Sequence, residues 1–162
     1  MATTEAAAAV DLILWRHAEA VFEDNVEEDL ERALTAKGER QAERMAEWLN
    51  RRIAHSTRVL ASPARRCQQT ASALGRKFRT VDELAPGGSG EGLLRAARWP
   101  DAAEPVLIVG HQPTLGFVAS FVLAGSADAW PVKKGAAWWL RQRTRDGVAR
   151  TVLQAMQSPD CL

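Results

Sequence analysis

His17 and His111 carry the most chemical information in this chain. Each follows directly on an apolar run, Leu12-Ile13-Leu14-Trp15-Arg16 before one and Pro105-Val106-Leu107-Ile108-Val109-Gly110 before the other. Such runs, apolar without alternation, read as strands buried on both faces. In open α/β sheets the carboxyl ends of strands border the ligand crevice. Arg16 precedes the first imidazole, and two more arginines are placed where they could join it. Arg32 stands just before Leu34-Thr35, at the mouth of a helix, and Arg66 lies in the first turn of a helix opened by Ser62-Pro63. A helix start offers free N–H groups and the positive end of the dipole. An arginine there adds a planar fork that matches phosphate oxygens. Guanidinium beside imidazole therefore points to anion binding with nucleophilic or acid–base chemistry. Taken singly, each residue has a structural explanation: a hydrogen-bonded histidine, a surface charge at Arg16, an ion pair at Arg66. The joint pattern singles them out, since it places two imidazoles and up to three guanidiniums at one edge of one sheet.

The elements that must hold these groups follow from periodicity. After the first strand, residues 18–34 read as a loop rich in acid: Glu19, Glu23, Asp24, Glu27, Glu28, Asp29 and Glu31. A solvated loop accounts for it, and its spacing matches no cation-binding loop. Thr35 is a fitting N-cap for a helix to about Arg52, with Ala42, Met45, Leu49 and Ile53 as its buried stripe. Arg58–Ala61 is a second strand. Ser62 as N-cap and Pro63 at the first helical position open a helix to about Gly75 or Lys77. Residues 81–84 read as a short extended piece, 86–90 as a Gly-rich loop, and Leu93–Trp99 as a short helix. A further helix begins near Pro113-Thr114, with Leu115, Val118 and Val122 inward and Gly116 allowing a close approach to the sheet. Two last strands, about 136–141 and 148–154, join across Asp146-Gly147, a strong hairpin signal. Together these give a three-layer α/β/α sandwich with a mostly parallel sheet and an antiparallel edge strand.

With 162 residues the chain is long enough for one domain with a sizeable core. A formal net charge of +1 argues against nucleic acid or an anionic membrane as partner. Residues 1–10 are Ala-rich and lack the basic start of a signal peptide, so they read as a frayed tail, and no stretch is long enough to span a membrane. A cytoplasmic monomer is expected. The two cysteines, Cys67 and Cys161, make neither a disulfide framework nor a metal site. The arginines before Cys67 could activate its thiol, but a small residue on a helix face explains it as well. There are six tryptophans and no tyrosine; Trp138 and Trp139 put one ring on each face of a strand.

Four segments resemble the histidine phosphatase superfamily, which includes the phosphoglycerate mutases. Leu-Ile-Leu-Trp-Arg16-His17-Ala18 resembles the family's Arg-His-Gly signature, and Arg32-Ala-Leu34-Thr35-Ala-Lys-Gly38 its Pro-Leu-Thr-x-x-Gly segment. Ser62-Pro63-Ala-Arg-Arg66-Cys-Gln-Gln69-Thr70 matches Ser-Pro-x-x-Arg-x-x-Gln-Thr, and Val109-Gly110-His111-Gln-Pro113 matches the second histidine segment. They occur in the family's order across residues 12–116. Short length and the Arg-x-Leu-Thr-x-x-Gly form are most similar to the phosphohistidine phosphatases of the SixA type. The resemblance implies a phosphoglycerate mutase-like fold. It also implies His17 as nucleophile, Arg16, Arg66 and His111 as holders of the phosphoryl oxygens, and Arg32 as a further phosphate ligand, with no cofactor and no metal. Ala18 departs from the family's glycine, so its backbone should avoid positive φ. Arg65 adjoins Arg66, but the spacing from Ser62-Pro63 favours Arg66 as the ligand.

On that reading the reaction is mostly positioning and charge stabilisation. Arginines around His17 would also depress its pKa, keeping the imidazole neutral. An imidazole leaving group, with a conjugate acid of pKa ~6.5, needs less help than an alkoxide. Glu83 lies where larger relatives place their acid, though a surface carboxylate explains it too. The expected substrate is a phosphohistidine on a protein, and inorganic phosphate or sulfate would fit the same site. Two alternatives are a phosphomonoesterase acting on a small phosphorylated molecule through Glu83, and an inactive phosphate-binding module. Nucleic-acid binding through Arg141, Arg143, Arg145 and Arg150 is disfavoured, because alternation on an edge hairpin makes these arginines solvent-facing guards.

Overall fold

The computed structural model describes residues 8–22 and 28–162. Strands and helices alternate as β1 (Ala9–Arg16), α1 (Ala36–Asn50), β2 (Arg58–Ala61), α2 (Arg65–Ser72), β3 (Arg79–Thr80), α3 (Gly90–Ala97), β4 (Val106–Gly110), α4 (Thr114–Ala124), β5 (Ala137–Arg145) and β6 (Val148–Gln157). The sheet order is β3-β2-β4-β1-β5-β6. The first four of these run parallel, β5 is antiparallel to β1, and β6 is antiparallel to β5.

Strand β1 lies between β4 and β5, so both of its faces must be apolar. Ile13 and Trp15 enter the core under α1 and α2 with Met45, Leu49 and Cys67. Leu12 and Leu14 enter the opposite core, under α3 and α4, with Leu93, Leu115 and Val118. Helices therefore cover both faces, and the architecture is a three-layer α/β/α sandwich. All four side chains from Leu12 to Trp15 are fully buried, and each contributes about 1.5–3 kcal/mol relative to exposure. The register aligns the strand ends: Leu12 pairs Val106 and Arg16 pairs Gly110, so the residues that come next in each strand leave the sheet side by side.

Local signals explain most boundaries. Thr35 caps α1 by accepting from the Gly38 N–H at 3.0 Å, and Ala42, Met45, Leu49 and Ile53 are all buried. At the hairpin, Asp146 and Gly147 have φ of 51° and 75°, the left-handed pair that a two-residue turn needs. Trp139 is buried on one face of β5, while Trp138 packs against the core of the other.

Several expectations need correction. Ala9 and Val10 belong to β1 and are not a frayed tail; residues 1–7 lie outside the described residues. Helix α2 opens at Arg65 behind Ala64, not at Ser62-Pro63. The Ser62 hydroxyl accepts from the Ala64 N–H at 3.2 Å in a turn, and Ala64 keeps an extended ψ of 135°. Residues 82–84 form a 3-10 turn, not an extended piece. Gly116 approaches the chain at Trp130, whose carbonyl oxygen would lie 2.0 Å from an added Cβ, rather than the sheet. Among the described residues no helix is long and apolar enough to cross a membrane.

Gly38 shows how tightly the loop after β1 is held. A Cβ there would meet the Glu19 carbonyl oxygen at 2.0 Å, while Thr35 donates its N–H to that carbonyl at 3.0 Å and its hydroxyl to the Glu19 carboxylate at 2.8 Å. Gly38→Ala should therefore destabilise the fold by about 1–3 kcal/mol through overpacking. Urea unfolding measures this; a loss under ~0.5 kcal/mol, the scatter of unremarkable surface changes, would mean the approach is not tight.

Candidate active site

Parallel pairing of β1 with β4 brings His17 and His111 together, with ring centroids 5.3 Å apart and planes tilted by 57°. The His17 N–H continues the ladder by donating to the Gly110 carbonyl at 3.2 Å. Hydrogen-bond partners assign the tautomers. His17 Nδ1 lies 2.7 Å from the Ala18 carbonyl oxygen, which only accepts, so Nδ1 carries the proton and Nε2 keeps its lone pair. For His111 the order is reversed. Arg66 Nη2, a donor only, lies 3.3 Å from Nδ1, so Nδ1 accepts, and Nε2–H donates to the Ser62 hydroxyl at 2.7 Å.

Both rings stay neutral. Burial is the largest cause of the depression of His17 to about 3; the Ala18 carbonyl opposes it, and His111, Arg66 and Arg16 add to it. Burial likewise leads the lowering of His111 to about 4, followed by Arg66. The arginines act in the expected direction, but desolvation does more. A neutral imidazole with a free lone pair on one nitrogen is a competent nucleophile at neutral pH.

Three arginines surround the rings. Arg66 is buried on α2 and lies against His111. Arg16, at the end of β1, donates from Nη1 to the Val132 carbonyl at 2.9 Å. Arg32 donates from Nη1 to the Val21 carbonyl at 2.9 Å. These three and both histidines line one cavity of about 350 Å3. Nε of Arg16 and Nε of Arg66 are buried without a hydrogen-bond partner. Such donors cost about 1–3 kcal/mol each. A guanidinium-lined cavity with a neutral imidazole in its wall suits phosphoryl transfer to nitrogen.

Of the residues predicted from sequence, His17, His111, Arg16, Arg32 and Arg66 thus converge. Glu83 does not: it is exposed on the turn 82–84 and outside the cavity lining. Arg65 is exposed and Arg66 buried, in keeping with the spacing argument. Ala18 is buried, gives its N–H to Thr70 Oγ1 at 3.2 Å and does not take a positive φ. Cys67 is not an activated thiol, because burial pushes it up to about 12 against the pull of Arg66 and Ser62. Five cavity residues escaped sequence reasoning: Ala20, Asp29, Pro86, Gln112 and Lys134. Asp29 accepts from Arg32 Nε at 2.9 Å and Arg66 Nη2 at 3.0 Å. Its place three residues before Arg32 was the available signal. Ser62, the partner of His111, was read only as a helix cap. Of the acidic loop, residues 23–27 lie outside the described residues. Among the described residues no group of three His, Cys, Asp or Glu side chains is placed to hold a metal ion. A larger groove of about 540 Å3 runs between Arg141, Arg143, Arg145 and Arg150 on the hairpin, away from the histidines; Arg141 is there bonded twice to Asp11.

Comparison with known proteins gives the family and the fold. The family model of the histidine phosphatase superfamily, branch 1, matches residues 12–87. An uncharacterized protein of Picosynechococcus sp. is 36% identical over 123 residues, spanning 72% of this chain and 74% of that protein. A candidate phosphohistidine phosphatase SixA from Nakamurella multipartitia superposes with a TM-score of 0.78 at 30% identity, over 94% of this chain and 97% of that one. The protein histidine phosphatase SixA in complex with tungstate gives a TM-score of 0.75 at 25% identity, over 93% of this chain and 98% of that one. The fold is thus the phosphoglycerate mutase-like one.

The two depressed histidines make stability depend on pH. Between about pH 4 and 6.5 the unfolded chain binds protons at residues 17 and 111 that the folded chain refuses. Stability should therefore rise with pH across this window and fall on acidification, by up to about 1.4 kcal/mol per pH unit for each group. Urea unfolding from pH 4.5 to 7 should show this slope in the wild type. It should shrink in His17→Asn/His111→Asn, and equal slopes would refute the neutral-histidine assignment.

Proposed function

Because the chain belongs to the histidine phosphatase superfamily, we propose that it is a phosphatase that takes the phosphoryl group of a phosphohistidine-bearing protein onto His17 and passes it to water. The observation that carries this is the pair of neutral imidazoles, 5.3 Å apart, in a cavity walled by Arg16, Arg32 and Arg66. In the first step His17 Nε2 forms a bond to phosphorus as the substrate's nitrogen–phosphorus bond breaks and the electron pair returns to the departing imidazole. Water then attacks the phosphorylated His17, the nitrogen–phosphorus bond breaks, and inorganic phosphate leaves with the oxygen of water. The three guanidiniums hold the oxygens on which charge accumulates. His111, through Nδ1, steers Arg66. A phosphoryl dianion alongside would offset the arginines and favour a proton on Nδ1, turning it into a donor to the phosphoryl oxygen.

The leaving group selects the substrate class. Among the described residues Asp29 is the single carboxylate in the cavity lining, and its arginines hold it below the usual range. It is ionised at neutral pH and has no proton to give. Glu83, the alternative acid, stands outside the cavity. A site without a carboxylic acid handles an alkoxide poorly but an imidazole well. The resemblance to SixA phosphatases, the nearly complete mutual coverage and the limited cavity volume support the same choice.

Incubation with a protein carrying labelled phosphohistidine should transfer label to His17. In His17→Ala the trapped label should vanish and turnover fall at least ~10^3-fold. Arg66→Ala should cost on the order of 10^2-fold through lost charge stabilisation. Label found on another residue would overturn the nucleophile assignment, and faster turnover of a sugar phosphate than of the phosphohistidine protein would overturn the substrate.

A further inference from the structure

Asp29 is a carboxylate inside an anion site, which calls for a reason. Its Oδ1 accepts from Arg32 Nε at 2.9 Å, its Oδ2 from Arg66 Nη2 at 3.0 Å, and its main-chain carbonyl from Arg66 Nη1 at 2.8 Å. Both guanidiniums belong to the cavity, and so does Asp29. They come from distant parts of the chain: Arg66 sits on α2, while Arg32 follows the 3-10 turn Asp29–Glu31. A residue on that turn thus ties the loop after β1 to a buried arginine 37 positions away.

We propose that Asp29 is a positioning residue, which holds Arg66 and Arg32 as one preformed clamp for the phosphoryl group. The role rests on the phosphatase reading above, but the tie itself is a property of the fold. Two like-charged forks converging on one cavity repel each other; a carboxylate bridging them removes that repulsion and fixes both planes. The cavity lining then carries Arg16, Arg32, Arg66 and Lys134 against one carboxylate, so it remains strongly attractive to a dianion. The third anchor on Arg66 is His111 Nδ1. With Asp29 on its two Nη groups and His111 on one of them, the buried guanidinium has a defined plane, and its buried Nε–H stays without a protein acceptor. Preorganised donors of this kind spare the reorganisation that would otherwise accompany the transition state. Asp29 touches the guanidiniums rather than the transferred group, so it acts through them.

Comparing Asp29→Ala and Asp29→Asn with the wild type tests this. The asparagine keeps the shape and one acceptor oxygen but cannot bridge two guanidiniums. Because the main-chain carbonyl bond to Arg66 survives both changes, the expected loss is partial, roughly tenfold in kcat/KM, carried mainly by kcat. If Asp29 works through Arg66, Asp29→Ala placed on Arg66→Ala should cost less than twofold more. Nitrogen NMR of the guanidiniums reads the clamp without turnover: Arg66 should show restrained Nη signals in the wild type and rotationally averaged ones in both variants. Unchanged or increased kcat in the variants, with the wild type active, would overturn the proposal, as would a full tenfold loss repeated in the Arg66→Ala background. A wild type that hydrolyses no phosphorylated substrate, yet loses Arg66 restraint in the variants, would overturn the phosphatase reading and leave the tie standing.

Discussion

The parallel pairing of β1 with β4 is the constraint on which the whole site depends. Arg16 opposes Gly110 in that ladder, so the next residue of each strand is a histidine, and both emerge at one level. A one-residue slip would turn every side chain of β1 to the other face. Such a slip is costly because both faces of β1 are buried, with Ile13 and Trp15 in one core and Leu12 and Leu14 in the other. The apolar core thus fixes the alignment of two polar groups. Neighbouring strands lie about 4.8 Å apart, which sets the scale of the 5.3 Å between the rings.

Burial then supplies the chemistry. An imidazole in water is partly protonated near neutrality, and a protonated ring has no lone pair with which to attack. Desolvation is the leading cause of the depression at both histidines, with the surrounding cations in support. Arg16 also has its pKa lowered, by burial first and then by Arg66, but a guanidinium starts so high that it stays charged. One environment therefore neutralises histidine and leaves arginine cationic. That separation is what a phosphoryl-transfer site needs, and it arises from the ordinary pKa gap between the two residue types.

Much of this was legible in the sequence because it is local. A run of buried apolar residues ends where a charged residue appears, so the positions of His17 and His111 at strand ends could be read directly. The Thr35 cap, the 42–45–49–53 stripe and the Asp146-Gly147 turn are also short-range patterns, and each formed. Long-range hydrogen bonds were not legible. Ser62 reads as an N-cap, but in the fold its hydroxyl is bound to His111, 49 residues away, and the helix starts later. Asp29 reads as one acid among seven in a loop; its place three residues before Arg32 hints at that pair, but nothing local shows that it also reaches Arg66, 37 positions away. Gly116 could be read as permitting a close approach, but not what would approach it. Glu83 was placed by the layout of larger relatives, and the short connection after β3 leaves it on an exposed turn.

The features that keep His17 neutral also hold the carboxyl group of Asp29 ionised. Asp29 is held ionised by these guanidiniums, and without a bound anion His17 and His111 stay neutral, each ring keeping one N–H. The dense positive charge that stabilises a phosphoryl group in flight thus works against storing a proton nearby for the leaving group. A phosphatase needing such a proton must hold its acid at some distance from the arginines, on a covering segment. This chain has instead a Gly-rich stretch and the short helix α3 between β3 and β4, and Asp29, the one carboxylate of the cavity lining among the described residues, is bonded to Arg32 and Arg66. The proposed substrate class follows from this: a departing group that needs no donated proton suits such a site, and a phosphorylated imidazole meets that requirement better than a phosphate ester of an alcohol.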